Sequence, residues 1–179
     1  DGRYVTFAPG RIGSMAHGRV LRLDTQTDYG ADGSWTAYDA NGTTADLDTR
    51  GYHGAVFDGR YVTFVPHHDG TEAHGRVLRL DTEAEFTSTE AWTAYDAGAS
   101  DEALRGYQGG VFDGRYVTFV PADDGTSVAK VLRLDTEADF ESPLAWSAYN
   151  ASGTGGLETR GYAGGVFDGR YVYFAPSTY

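Results

Sequence analysis

The stretch GYQGGVFDGRYVTFVP, residues 106–121, decides how this chain folds. It joins two alternating apolar runs, YQGGVF and RYVTF, through an Asp-Gly pair. That pair is the strongest short-range signal for a β-hairpin, because a tight two-residue turn needs positive φ angles. Closely similar stretches occupy residues 51–66 and 161–176, and the chain opens on the second half of the pattern, DGRYVTFAP. The hairpin is therefore a repeated building block.

The repeat has a fixed period. Cutting before each DGRYV gives repeats 1–57, 58–112 and 113–167 and a terminal strand 168–179, all within a single domain 1–179. Such a period indicates stacked or radially arranged supersecondary units. Each unit predicts four short strands: strand a (GY…VF), strand b (RYVTF), strand c (RVLRLD) and strand d (AWTAYD). We therefore predict an all-β chain with the strand order bcd, abcd, abcd, ab.

The unit resembles the kelch repeat of β-propellers over nearly the whole chain. The residues that carry the resemblance are Arg105, Gly106, Tyr107, Gly109 and Gly110, the segments 112–117 and 131–135, and Trp146. It departs from the kelch pattern in one place: the second strand ends in Val-Pro or Ala-Pro instead of a glycine pair. The resemblance implies a ring of 4 to 8 blades, of which this chain supplies about three. Oligomerisation or further sequence would complete the ring.

A β-trefoil is the alternative fold, since it also has three repeats of four strands and closes without a partner. The Asp-Gly hairpin and the single Trp in each unit favour the kelch-like propeller.

Composition restricts the partners. The formal net charge is −12 and the sequence pI is about 4.6, so the field of the protein repels nucleic acid and anionic membrane surfaces. No apolar run approaches the roughly 20 residues that span a bilayer, and no membrane insertion is expected. The chain has no Cys, which excludes disulfides and thiol chemistry. Because it begins at Asp1 inside a repeat, we interpret it as part of a processed precursor and expect an extracellular or cell-surface location.

Repeated polar residues have simple structural interpretations. Asp58, Asp113 and Asp168 are expected to close the hairpin turns through their own backbone. Asp24, Asp81 and Asp135 end strand c, where we expect side-chain hydrogen bonds to nearby backbone N–H groups. Arg60, Arg115 and Arg170 could grip anionic ligands, but the excess of acids predicts pairing with a carboxylate.

Aromatic residues are the candidate ligand-binding groups. Trp35, Trp92 and Trp146 each precede a Tyr by three residues; they suit packing between blades, or stacking on a sugar ring if they lie at a rim. Tyr52, Tyr107 and Tyr162 would recur around the central axis as a ring of hydroxyl groups.

Two loops vary between units, after the Pro of strand b and after strand d, and such loops commonly carry binding. His67, His68 and Asp69 form the only ligand-like cluster in the sequence, for which an ordinary solvated loop is the simpler interpretation. Asp69, Asp123 and Asp124 are weak candidates for a calcium site, because they lack the order of ligands found in an EF-hand. No other cofactor is expected.

No asymmetric set of base, nucleophile and orienting group emerges from the sequence. We therefore expect a non-catalytic extracellular module with lectin-like recognition of carbohydrate or another surface polymer. A self-assembling homo-oligomer, forming a ring or filament, is the first alternative, since strand b stands at both ends. A polysaccharide-active enzyme on a propeller is the second.

Overall fold

A computed structural model describes residues 1–44, 47–122 and 129–177 of the chain. This part contains β-strands and short 3-10 turns and no α-helix, which confirms the all-β fold class. No helix within it has the length and apolarity to cross a membrane.

The strands follow the predicted order. The first group, b-c-d, contains β1 (Tyr4–Phe7), β2 (Arg11–Ile12), β3 (Met15–Ala16), β4 (Arg19–Asp24) and β5 (Trp35–Asp39), where β2 and β3 are inserted between strands b and c. The second group, a-b-c-d, contains β6 (Tyr52–Phe57), β7 (Tyr61–Pro66), β8 (Arg76–Asp81) and β9 (Trp92–Asp96). The third group, a-b-c-d, contains β10 (Tyr107–Phe112), β11 (Tyr116–Pro121), β12 (Lys130–Asp135) and β13 (Trp146–Asn150), and the chain continues with strands a and b, β14 (Tyr162–Phe167) and β15 (Val172–Pro176). The 3-10 turns are Asp32–Ser34, Thr89–Ala91, Ala97–Ala99, Pro143–Ala145 and Thr154–Gly156.

These strands form separate antiparallel sheets. Blade 1 is β1-β4-β5, blade 2 is β6-β7-β8-β9, blade 3 is β10-β11-β12-β13, and a terminal hairpin pairs β14 with β15. The short hairpin β2-β3 stands apart, and the sequence did not predict it. Among the described strands, each strand pairs only with strands of its own blade or hairpin. The blades therefore do not interleave into the barrel of a β-trefoil.

Each Asp-Gly turn is closed by its aspartate. Oδ1 of Asp113 accepts the backbone N–H groups of Arg115, at 3.0 Å, and Tyr116, at 2.7 Å, while Gly114 takes the positive φ of +102°. Asp58 and Asp168 make the same pair of bonds. The predicted role of these three carboxylates is confirmed.

Glycines let the strands a of neighbouring sheets lie side by side. Strand β10 carries a bulge between Tyr107 and Gly110, and Gly109 has φ +89°. A Cβ on Gly109 would meet Cα of Gly164 in β14 at 3.7 Å, and one on Gly110 would meet Cγ2 of Val56 in β6 at 2.8 Å. Strand a is therefore the edge at which successive blades approach each other.

The core lies between blades. One cluster joins blades 1 and 2, and the other joins blades 2 and 3. We call the face of a blade that looks toward the preceding blade its leading face, and the opposite face its trailing face. In blade 2 the leading face carries Val62, Phe64, Leu78, Phe86 and Trp92, all buried.

The same aromatic contact occurs in both inter-blade interfaces. Tyr38 on the trailing face of blade 1 stacks on Trp92 with ring centroids 5.3 Å apart and planes 13° from parallel. Tyr95 of blade 2 stacks on Trp146 of blade 3 at 4.7 Å and 6°. The predicted inter-blade packing of Trp and Tyr is confirmed for these two pairs.

An arginine on the trailing face reinforces each interface. The guanidinium of Arg79 lies 4.1 Å from the ring centroid of Tyr61 in its own blade and 4.0 Å from that of Phe140 in blade 3. Arg22 is held in the same way between Tyr4 and Phe86. Each guanidinium is thus sandwiched between two rings, an arrangement favoured by cation–π attraction.

Candidate functional site

The three tryptophans have the same indole hydrogen bond but differ in how far their rings are buried. The indole N–H groups of Trp35, Trp92 and Trp146 each donate to a backbone carbonyl six residues earlier, at 2.9 to 3.1 Å. Trp92 is 3% exposed, and Trp146 is partly covered by its Tyr partner. Trp35 is half-buried like Trp146, but its ring contacts among the described residues come from Phe7 and Tyr29 of its own blade.

Two of the three candidate tyrosines are buried. Tyr52 is 4% exposed and Tyr107 is 0% exposed, whereas Tyr162 is half-buried. Burial raises the pKa of Tyr52 well above its ordinary value, and its hydroxyl finds no hydrogen-bond partner within the described residues. The structure therefore does not present Tyr52 and Tyr107 as an accessible ring of hydroxyl groups.

Two of the three candidate arginines pair with the acid that ends strand c. Nε and a terminal nitrogen of Arg60 donate to the two oxygens of Asp81 at 3.2 and 2.7 Å, and Arg115 does the same to Asp135. Arg170 lies over the ring of Tyr171 and has no carboxylate partner in the part of the chain that the structure describes. The predicted pairing is confirmed for Arg60 and Arg115.

The acids that end strand c also hold the following turn, as predicted. One oxygen each of Asp24, Asp81 and Asp135 accepts the backbone N–H two residues later, at 3.0 to 3.1 Å.

A polar cleft forms at the edge of the sheets opposite the Asp-Gly turns. Since strand b ends and strand c begins at that edge, loop 67–75 of blade 2 lies there, and so does loop 97–106, which leads from blade 2 to blade 3. Two adjoining cavities of about 250 and 430 Å³ lie between them and share Glu72, Ala73 and Arg105 in their walls. We call this region the loop cleft.

Imidazoles and acids line the loop cleft. His67 and His68 contribute to one cavity, and His74, Asp96 and Glu102 contribute to the other. His53 of strand β6 extends the imidazole group, with its ring centroid 5.4 Å from that of His67.

Burial keeps two of these histidines neutral at pH 7. Burial first, and then the charges of His53 and His68, lower the pKa of His67. Burial, together with the charge of Arg76, lowers the pKa of His74 to about 4. Nδ1 of His74 accepts the backbone N–H of Arg76, which leaves Nε2–H to donate toward the carbonyl of Gly51 at 3.3 Å.

Asp69 is held in place by the loop. Burial would raise the pKa of its carboxyl group, but the backbone N–H groups of Glu72 and Thr71 and the side chain of Arg76 outweigh that effect, so the pKa lies well below its usual range. The ion pair with Arg76 is 2.7 Å long and largely buried. Loop 67–75 is therefore partly built into the protein, which differs from the solvated loop that the sequence suggested.

The described residues provide no arrangement of ligands for the calcium site that the sequence suggested. Among residues 1–44, 47–122 and 129–177, no group of three or more His, Asp or Glu side chains is arranged to hold an ion. Asp69 already accepts three hydrogen bonds, and Asp123 and Asp124 lie outside the described residues. Calcium binding stays a prediction.

Comparison with known proteins gives no identity. No protein-family model matches the chain, and no curated protein is significantly similar to it.

Sequence reasoning did not identify Glu72, Glu102 and Arg105 as members of one site. Two signals were available: Glu72 breaks the repeat, and both acids fall in the loops that vary between units. The juxtaposition itself is tertiary, because residues about thirty positions apart meet only once blade 2 and its two loops have folded.

Proposed function

We propose that the chain is a segment of a kelch-like β-propeller and acts outside the cell as a non-catalytic binding module. Its ligand is carbohydrate or another hydroxyl-rich surface polymer, held in the loop cleft. The observation that carries this proposal is the loop cleft itself, where two variable loops bring acids, an arginine and neutral imidazoles around an open polar cavity.

The donor and acceptor set suits sugar hydroxyl groups. The carboxylates of Glu72 and Glu102 accept hydrogen bonds, Arg105 donates them, and a neutral imidazole such as His67 can do either. Hydroxyl groups need this mixture because each is both a donor and an acceptor. A polyanion would meet the repulsive field of a chain with net charge −12.

The proposed binding site differs from the aromatic residues that the sequence predicted. Packing encloses the rings of Trp92, Tyr52 and Tyr107, so none of these three rings can stack on a sugar. Hydrogen bonding in the loop cleft takes their place as the basis of recognition.

The proposal leaves catalysis out because the groups with the most displaced pKa values are either bonded to structural partners or, like Tyr52, enclosed in the core. Asp69 is bound by two backbone N–H groups and Arg76, and His74 by two backbone groups. A general acid or base has to be able to reach its substrate.

The kelch-like propeller is supported by three features. Blades 2 and 3 are four-stranded antiparallel sheets, their strands a lie side by side, and each interface repeats one Tyr–Trp stack. These features agree with blades fanned about a shared centre.

Retention on immobilised polysaccharides and on a glycan array tests the ligand. We expect a subset of glycans to retain the protein and Glu72→Ala to abolish that retention. Glu83→Ala is the matched control, since Glu83 is an exposed acid beside Arg60 at the opposite edge of blade 2. Failure of every glycan to retain the protein, or equal retention of both variants, would contradict the proposal.

A further inference from the structure

The leading face of blade 1 is bare, although it has the sequence of a buried one. Phe7 is 44% exposed, whereas its counterparts Phe64 and Phe119 are 0% exposed. Tyr29 is 71% exposed, and its counterpart Phe86 is 0% exposed. Val5, Leu21 and Trp35 also lie on this face, where they continue the apolar surface.

The trailing face of blade 3 has the matching half of the interface. Tyr149 is the counterpart of Tyr38 and Tyr95, but it is 64% exposed and has no tryptophan to stack on among the described residues. Arg133 lies 4.2 Å from the ring centroid of Tyr116, and its second side is not capped by a ring in that part of the chain. Arg22 and Arg79 are each capped on both sides.

These two faces are the two halves of an interface that the chain already forms twice. We propose that the trailing face of blade 3 docks on the leading face of blade 1 in a second copy of this chain. Tyr149 then stacks on Trp35 of the second copy, and the ring of the second copy's Tyr29 closes the sandwich around Arg133.

Strand β14 completes the docked sheet. Blade 1 has strands b, c and d, and β14 is a strand a whose sheet has no c or d within the described residues. In the docked pair β14 lies beside β1 of the second copy and takes the place that β6 has beside β7. Such an exchange of equivalent strands between copies needs no new kind of contact.

Strand β15 already pairs with β14 in its own chain, and β1 of the second copy would pair with the same edge of β14. Both are strands b, so one of them has to be displaced when the two copies dock. Strand β1 carries Thr6 on its trailing face, where Thr63 and Thr118 of the internal blades are 0% and 8% exposed. Strand β15 carries Tyr173 there, a side chain too large for a position that is closed over threonine. We therefore assign the place to β1, with β15 displaced.

Two copies close the ring. Once β14 of each chain completes blade 1 of the other, every chain contributes three four-stranded blades. Two chains then give six blades, within the usual 4 to 8, and three chains would give nine. The assembly is independent of the carbohydrate proposal, because none of its contacts lies in the loop cleft.

The native mass of the chain tests the docking. Light scattering and native mass spectrometry of the 179-residue chain should give twice the chain mass of 19.3 kDa. Tyr149→Ala and Trp35→Ala should each raise the dissociation constant by about tenfold or more, through the lost stack and its buried area. Leu144→Ala is the control, since Leu144 is 93% exposed and lies outside the contact.

The two variants should also be coupled. Each removes the same stack, so the double variant should dissociate little more readily than either single variant. Thermal unfolding by circular dichroism checks that the variants stay folded. A monomer at all concentrations, or a dimer whose dissociation none of these substitutions changes, would overturn the proposal.

Discussion

Blade 1 and blade 2 have nearly the same leading face, yet one is open and the other closed. Trp92 is 3% exposed under Tyr38, whereas the equivalent Trp35 is half-buried, and its ring contacts among the described residues are with Phe7 and Tyr29 of its own blade. The difference comes from the neighbour and not from the blade. A single unit cannot bury its own apolar face, which is the general condition of repeat proteins.

The largest expected effect comes from the phenylalanine of strand b. At concentrations where the Tyr149→Ala variant is monomeric, Phe119→Ala in that background should lower the free energy of unfolding by about 3–5 kcal/mol, since its ring is fully enclosed. Phe7→Ala, at the equivalent and open position, should lower it by about 1 kcal/mol. Urea denaturation measures both values. Equal losses would show that blade 1 is covered in the monomer.

A pH titration separates the loops of the two blades. His74 is 3% exposed in blade 2, whereas its counterpart His17 is half-buried. The folded pKa of about 4 for His74 lies below the unfolded value of 6.5, so the unfolded state binds the proton first as pH falls. Stability is therefore complete above pH 6.5 and is lost progressively toward pH 4, by on the order of 3 kcal/mol.

The His74→Gln variant should flatten this part of the stability profile, with His17→Gln as the matched control. Urea midpoints at a series of pH values measure the slope. An unchanged slope in His74→Gln would mean that another group governs the acid response.

A glycine substitution probes the bulge in strand β10, the strand a of blade 3 that lies beside β14 of the terminal hairpin. Gly109→Ala should cost roughly 1–3 kcal/mol, because φ is +89°, a backbone conformation that residues with a Cβ rarely adopt. Gly33→Ala is the control: Gly33 has an ordinary φ and open space around it. Thermal unfolding compares the two, and equal midpoints would contradict the positive φ of Gly109 in the bulge of strand β10.

The smallest effect distinguishes a closed sandwich from an open one. Arg79→Gln should destabilise the Tyr149→Ala monomer by about 1–2 kcal/mol, since two rings flank the guanidinium. Arg133→Gln should cost less than half as much, because only Tyr116 flanks it. Denaturation midpoints measure this difference. A larger loss at Arg133 would reverse the comparison.

Local chemistry made most of the fold predictable. Alternation, the Asp-Gly turns and the spacing of strands a to d depend on neighbouring residues, and the predicted strand order is confirmed. The predicted bounds differ by a residue or two: strand b runs on to Pro66 and Pro121, for example. The short hairpin β2-β3 was missed, because its strands of two residues carry no periodic signal.

The candidate site was less predictable, because exposure depends on which blade covers which face. Trp35, Trp92 and Trp146 look alike in sequence, and only the position of each blade within the chain separates them. The same holds for Tyr52 and Tyr107, which a strand pattern alone cannot assign to an axis or to a core. The loop cleft depends on two loops meeting, which no local pattern encodes.

Fluorescence quenching by acrylamide in three single-tryptophan proteins tests the central claim most directly. Each protein keeps one of Trp35, Trp92 and Trp146, with phenylalanine at the other two positions, in the Tyr149→Ala background. If burial is supplied by the preceding blade, Trp92 should be the most shielded indole, and Trp35 should be quenched more strongly than Trp92 and Trp146, which both stack on a Tyr of the preceding blade. Equal shielding of all three indoles in a monomer would contradict this account.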